Sequence, residues 1–294
     1  MTRLRKDDID RITRQLDGYD ARLKRMTGAS LRQIACRAAG IDEALIIDLL
    51  DQVRIAAVPV RSGLGVIDGF SGTVAAIVSH LGFETFVTES SDVAGIAEGL
   101  EREADILMLA DDERFIALTP GGRHVVDNSG ATARGFVAGL ELMRGGLAGE
   151  SVLVLGCGPV GMAATKALID RGADVALCDT QQEVALAALR EIGQDAANSI
   201  RLEDTPGHAL ERYELIFVAT NVGNFIEPAH LTPRTMVAAP GMPCALTPDA
   251  MAKNRDRVLH DALEIGTATM AVQAAVQATA DLARNVETKK ANEE

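Results

Sequence analysis

The chain has 294 residues, enough for two ordinary domains and a sizeable buried core. With 47% hydrophobic and 24% charged residues it has the make-up of a globular protein rather than a disordered one. A net charge of −13 argues against a nucleic-acid or anionic-membrane partner, whose phosphates would repel the surface. The N-terminus "MTRLRKDDIDRITRQLDGYD" lacks the apolar core of a signal peptide, and no run approaches the roughly 18 apolar residues of a membrane span. Cys36, Cys157, Cys178 and Cys244 are scattered without a C-x-x-C pair. Together these features predict a cytoplasmic protein with free thiols and no metal site.

In chain order, Leu4, Ile9, Ile12 and Leu16, then Leu31, Ile34 and Leu45 to Leu50 recur at helical spacing, predicting two or three amphipathic helices over 1–50. "RIAAVPV" (54–60) reads as a strand and "RSGLGVIDGFSG" as a glycine-rich loop. A helix over "TVAAIVSHLGF", a strand "ETFVTES", a helix "DVAGIAEGLERE" and a strand "ADILMLADD" follow. "ALTPGGRHVVDNSG" reads as a loop or hairpin, leading into a helix through "ATARGFVAGLELMRGG". The alternation implies a mostly parallel α/β sheet in this half. Beyond the boundary at Gly145 to Gly149, strands are expected at "SVLVLG", "DVALCD", "LIFVAT", "TMVAAP" and "RVLHDA", helices at "GMAATKALIDRG" and "EVALAALREIG", and one long helix over "GTATMAVQAAVQATADLARNVE".

"VLVLGCGPVG" carries G-x-G-x-x-G between a strand and a helix, the setting in which that spacing has meaning. Gly156 allows the tight turn, Gly158 lets the backbone approach a pyrophosphate, and Gly161 permits close helix–strand packing. Cys157, Pro159 and Val160 fill the loop, and the helix N-terminus offers unpaired N–H groups to the phosphates. Asp179 ends the next strand, where a carboxylate can accept from ribose hydroxyls and repel a 2′-phosphate. Thr180, Gln181 and Gln182 supply no arginine, so the expected cofactor is NAD. Thr220, Asn221 and Asn224 after the fourth strand, and Pro240, Gly241, Pro243 and Cys244 after the fifth, should frame the nicotinamide.

Absences narrow the chemistry. No lysine lies between Lys24 and Lys166, and neither Tyr19 nor Tyr213 has a lysine four places on. Lysine-dependent amino-acid dehydrogenases and the short-chain Tyr-x-x-x-Lys enzymes are therefore disfavoured. Among the histidines, His260, near a strand end, is best placed for a general base. Asp111 and Asp112 terminate a strand where a substrate-facing group belongs, and carboxylates there suit an amine, which must lose a proton before its carbon gives up hydride. Ser62 stands at the matching end of another strand.

"VPVRSGLGVIDGFSGTVAAIVSHLGFETFVT", "ILMLADD", "VLVLGCGPVG", "PGMPCAL" and "IGTATM" together resemble the dehydrogenase family that completes pyrrolysine biosynthesis, the 3-methylornithyl-lysine dehydrogenases or pyrrolysine synthases. The resemblance runs in order through most of 4–275. It implies an NAD-dependent, dimeric enzyme that oxidises the terminal amine of L-lysine-Nε-3-methyl-D-ornithine. Ammonia is lost, and the oxidised carbon condenses with the α-amine to close a pyrroline ring. The family's substrate contacts fall on Leu4, Ser62 and Asp111, with Phe70 as an aromatic beside the S-G-x-G loop; Ser62 and Asp111 are the implied catalytic pair. Asp261, in "HDALEIG", stands where the family is expected to carry glutamate and is assigned with the substrate contacts. The segment "NVGNF" after Thr220 also departs from the pattern.

The expected architecture is α/β with two domains: an N-terminal substrate domain (1–148) and a Rossmann NAD domain (149–262). A C-terminal helix (263–294) packs back on the first domain or on a partner in a homodimer. Two other readings stay open. One is an NAD-linked dehydrogenase or cyclodeaminase of a free diamino acid such as ornithine; the other is a non-enzymatic NAD-binding regulator.

Overall fold

A computed structural model describes residues 6–9, 11–63, 67–192 and 200–293, from 281 onward as backbone only. Four helices open the chain: α1 (Lys6–Ile9), α2 (Ile12–Thr27), α3 (Leu31–Ala39) and α4 (Glu43–Leu49). On α2, Ile12, Leu16, Tyr19, Leu23 and Thr27 form one buried stripe at three- and four-residue spacing. Gly28 ends that helix in the left-handed conformation, with φ at 74°. Ser30 then starts α3 with a capping box: its Oγ accepts the Gln33 N–H, and the Gln33 side chain accepts the Ser30 N–H.

The first sheet alternates β1 (Arg54–Val58), α5 (Phe70–His80), β2 (Glu84–Val87), α6 (Asp92–Glu101) and β3 (Ile106–Ala110). A hairpin of β4 (Phe115–Thr119) and β5 (His124–Asp127) follows. The strand order is β2-β1-β3-β4-β5; the first three are parallel, and β4 and β5 add on antiparallel. The helix α7 (Asn128–Arg144) then carries the chain to the second sheet.

That second sheet is built from β6 (Ser151–Leu155), α8 (Pro159–Ile169), β7 (Asp174–Cys178), α9 (Gln182–Ile192) and β8 (Arg201–Leu202). It continues through α10 (Pro206–Arg212), β9 (Leu215–Val218), β10 (Met236–Ala238), α11 (Pro248–Lys253) and β11 (Val258–Leu259). Its order, β11-β10-β9-β6-β7-β8, is parallel throughout. This is the doubly wound dinucleotide-binding order, whose switch point lies between β6 and β9. Central β6 is buried from Val152 to Leu155, which explains its unbroken apolar run. Truncating its fully buried Leu153 to alanine would cost roughly 2–5 kcal/mol.

The last helix, α12 (Glu264–Glu293), turns back to pack on α3, α7 and the β4–β5 hairpin. Its approach to α7 is close because α7 carries glycines there. A Cβ at Gly135 would stand 2.5 Å from Ile265 Cγ2 of α12, and one at Gly139, where α7 meets β11, would overlap Leu259 Cδ2. Each mid-helix glycine costs about 1 kcal/mol against alanine, so these positions are held by packing and not by helix propensity. Glu141 locks the same region: its carboxylate, with the side chain 11% exposed, takes Arg37 at 2.7 Å and Arg171 at 3.1 Å, joining α3, α7 and the end of α8.

Candidate active site

The carboxyl ends of β1 and β3, with the first turns of α5 and α7, face the carboxyl ends of β6, β7, β9 and β10 across a cleft of about 1000 Å³. The walls have different chemistry.

On the second-sheet wall, the turn after β6 needs glycine at two close approaches. Gly156 has φ at 94°, and a Cβ there would lie 2.6 Å from the Ala219 carbonyl oxygen; a Cβ at Gly161 would overlap the Gly156 carbonyl oxygen. A Cβ at Gly158, by contrast, would meet nothing within 4 Å, so the head of α8 presents bare backbone to the cleft. Pro159 occupies the first helical position, where no N–H is needed. These residues form a concave cradle with the positive end of a helix behind it, which fits a pyrophosphate. Asp179 organises the loop: one carboxylate oxygen accepts the Cys157 N–H and the other the Gln181 N–H, both at 2.9 Å. Both oxygens keep further lone pairs for ribose hydroxyls. Gly156, Gly158, Pro159, Val160 and Asp179 line the cleft, as do Thr220, Asn221 and Pro240. Cys157 and Gly161 lie behind that surface. Burial, with Asp179 alongside, pushes the Cys157 thiol up to about 12, so it stays neutral.

On the first-sheet wall, Asp111 and Asp112 follow β3, and Phe70 and Phe115 form an edge-to-face pair with ring centroids 5.4 Å apart. The Asp111 Oδ1 accepts the N–H groups of Glu113 (2.8 Å) and Arg114 (2.7 Å), a local turn that fixes the carboxylate at the cleft. These N–H groups, that of Arg114 foremost, hold its pKa below the usual carboxylate range. Asp111 is therefore an anion at neutral pH and suits a cationic group. Asp112 lies against the S-G-x-G loop, where a Cβ on Gly63 would overlap its Oδ2.

Not every expected residue reaches this surface. Ser62 is exposed beside Gly63 and outside the cleft lining, while Leu4 and residues 64–66 lie outside the described residues. Asp261 does not line the cleft either. It is buried behind Ala262 and Leu263, which do, and its Oδ2 accepts the Tyr19 hydroxyl of α2. Its neighbour Glu264 is equally buried. His260 also sits back from the cleft, with Nδ1 2.7 Å from the Ala239 carbonyl oxygen. Burial opposes charge on both His260 and Cys244, but each stabilises the charged form of the other. The imidazole is raised and the thiol lowered from their ordinary values. The four cysteines are free thiols.

Asn128, Ser129 and Thr132, from the first turns of α7, line the cleft and were not among the expected site residues. The signal for them was the "VDNSG" junction, where Asp127 N-caps α7 by accepting the Ser129 N–H at 2.9 Å.

Known proteins resemble this chain in sequence and in fold. Residues 8–125 match the family described as "Pyrrolysine biosynthesis protein PylD, N-terminal domain". The pyrrolysine synthase of Methanosarcina barkeri is 30% identical over 275 residues, covering 92% of this chain and 97% of that protein. That of Methanosarcina acetivorans is 26% identical over 272 residues, covering 92% and 98%. In fold, the chain is similar to a quinate dehydrogenase of Corynebacterium glutamicum solved in complex with NAD, with a TM-score of 0.53 at 17% identity, covering 78% of this chain and 94% of that one. With a 30% identical relative matched along nearly its whole length, the chain belongs to the pyrrolysine synthase family and is an oxidoreductase.

Proposed function

We propose that the protein is an NAD-dependent amine dehydrogenase of pyrrolysine biosynthesis. Its substrate in this reading is L-lysine-Nε-3-methyl-D-ornithine, oxidised at the terminal amine of the methylornithine part. The observation that carries the proposal is the charge of the cleft. Asp111, Asp112 and Asp179 line it, and among the described residues no lysine, arginine or histidine does. The substrate carries three amino groups and one carboxylate, so this wall complements it, whereas a hydroxy-acid substrate would find no cation to hold its carboxylate.

In this reading residues 1–148 hold the substrate, 149–262 hold the cofactor, the helix from 263 ties the two together, and the assembly is a homodimer. NAD, when bound, supplies the hydride acceptor. The bare backbone at Gly158 and the head of α8 hold its pyrophosphate. Asp179 accepts from the ribose and disfavours a 2′-phosphate, for which the lining offers no cation. Asp111 anchors an ammonium of the substrate, and the Phe70–Phe115 wall keeps bulk water from the reacting carbon. Removal of hydride from the CH–NH2 carbon leaves an iminium. The α-amine attacks that carbon, ammonia leaves, and the pyrroline ring remains.

The test is NADH absorbance from purified protein, NAD and synthetic L-lysine-Nε-D-ornithine, with NADP and free L- and D-ornithine in parallel and mass spectrometry of the product. Turnover of the conjugate with NAD, ammonia release and a pyrroline product is the expected result. Turnover of free ornithine would instead make the enzyme a diamino-acid cyclodeaminase. NAD binding without any turnover would leave a regulatory protein.

A further inference from the structure

A second cavity, of about 550 Å³, lies on the far side of α7 from the cleft. Asn128, Ser129 and Thr132 point one way along α7, into the cleft, while Gly130 and Arg134 line the other cavity. Gln273, Val276 and Gln277 of α12 close its opposite side, and the β5 edge with Asp127 forms its mouth.

The chemistry of this cavity is unusual for a chain of charge −13. The Arg134 guanidinium is half-buried and lies over Gly130, where a Cβ would stand 3.4 Å from both terminal nitrogens. Its Nη2 donates to the Gln273 Oε1 at 2.8 Å, but its Nε is buried without an acceptor. The Gln277 Oε1 is likewise buried without a donor. Among the described residues no carboxylate forms an ion pair with Arg134; the other charge felt there is Arg171, and burial together with that like charge lowers the Arg134 pKa. Asp127 lines the same cavity, yet its carboxylate is already engaged by the Arg114 guanidinium (3.2 Å) and the Ser129 N–H (2.9 Å). A sheltered cation with open donors, beside an amide oxygen that lacks a donor, is a costly arrangement unless something completes it.

We propose that this cavity is a binding site for a small oxyanion, a carboxylate or phosphate that also carries a hydroxyl. The anion's oxygens accept from the Arg134 Nε and terminal N–H groups, a fork that matches carboxylate and phosphate geometry. Its hydroxyl donates to the Gln277 Oε1. The volume falls within the range of small-molecule pockets. Because α7 lines both the cavity and the cleft, occupancy braces the helix that carries one part of the cleft's wall.

The test uses the full chain with NAD present, so that the cleft's own phosphate cradle is filled. Inorganic phosphate and citrate are titrated at constant ionic strength against chloride, by calorimetry and by melting temperature, for wild type and Arg134→Gln. Saturable stabilisation by at least one anion is expected, weakened about thirtyfold or more in Arg134→Gln. Without anion, the variant should melt at or above wild type, because an uncompensated cation has been removed; a merely structural arginine would give the opposite shift. Absence of saturable binding by either anion would overturn the proposal, and so would binding that Arg134→Gln leaves unchanged. A change of oligomeric state in the variant without any anion response would show instead that a second copy covers this face.

Discussion

Replacing Glu264 with glutamine should make the protein more stable at alkaline pH and leave it nearly unchanged in mild acid. Glu264 and Asp261 are each 8% exposed, flank the cleft residues Ala262 and Leu263, and face α2 through Tyr19. Burial, and then the charge of Asp261, raise the Glu264 pKa from the usual carboxylate value to about 8. Burial raises Asp261 as well, although the Tyr19 hydroxyl and His260 favour its charged form. Tyr19 is itself raised by burial and by Asp261, and Arg22, 5.3 Å over its ring, donates to the His260 carbonyl oxygen. The folded state therefore holds a proton on this pair that the unfolded chain gives up above its ordinary carboxylate pKa of about 4.3. A carboxyl with a raised pKa is most compatible with folding at low pH, and its contribution falls away as pH climbs toward about 8. One proton amounts to about 1.4 kcal/mol per pH unit across that window, so the total reaches a few kcal/mol. In Glu264→Gln the amide oxygen still accepts the Leu263 N–H, and the NH2 donates to Asp261 as the protonated acid did. Melting both proteins at about pH 4.5 and about pH 8 should give near-equal values in acid and an advantage of several degrees for the variant in base. Parallel pH dependences would refute the reasoning, because they would mean that Glu264 is already ionised in the folded protein.

Two further outcomes follow from the cleft. Gly158→Ala should leave the melting temperature without NAD within about 2 °C of wild type, since its Cβ meets nothing, yet remove NAD-induced stabilisation by occupying the phosphate approach. Gly161→Ala, whose Cβ would overlap the Gly156 carbonyl oxygen, should destabilise the protein even without NAD; a thermal-shift titration of both variants separates the two effects. Asp111→Asn keeps an oxygen for the Glu113 and Arg114 N–H groups but loses the charge. Its kcat/KM on the lysyl–ornithine conjugate should fall about a hundredfold with NAD affinity unchanged, and retention of wild-type kcat/KM would remove Asp111 from the site.

Much of this layout was legible because local signals agreed with one another. "SVLVL" and "DVALC" are unbroken apolar runs ending in a glycine turn and an acid, and they became β6 and β7 with five residue pairs in register. What escaped was short or tertiary. Strand β8 is two exposed residues, Arg201 and Leu202, defined by their pairing with β7. Helices α10 and α11 are seven and six residues long, too brief for a 3.6-residue period to show. The separation of α2, α3 and α4 rested on caps at Gly28, Ser30 and Asp42 rather than on hydrophobic spacing. Gly135 and Gly139 read as weaknesses in a helix until Ile265 and Leu259 are seen filling the space. Asp261 illustrates the limit at the site itself. A carboxylate one residue before the cleft lining can face either way, and the sequence contains nothing about Tyr19 meeting it from 242 positions away.

The acids at the cleft and behind it divide into two kinds, and the division bears on the chemistry. Asp111 is surrounded by N–H donors and stays ionised, so it can hold an ammonium but is a weak acceptor for that ammonium's proton. Asp261 and Glu264 are surrounded by apolar packing and each other, and they retain a proton where Asp111 cannot. Environment rather than residue type thus separates an anchoring carboxylate at the cleft from a protonated pair behind it. An NAD-linked amine dehydrogenase, the function proposed above, would use the first for orientation, and the amine proton would have to pass to a group other than that anchoring acid before hydride leaves.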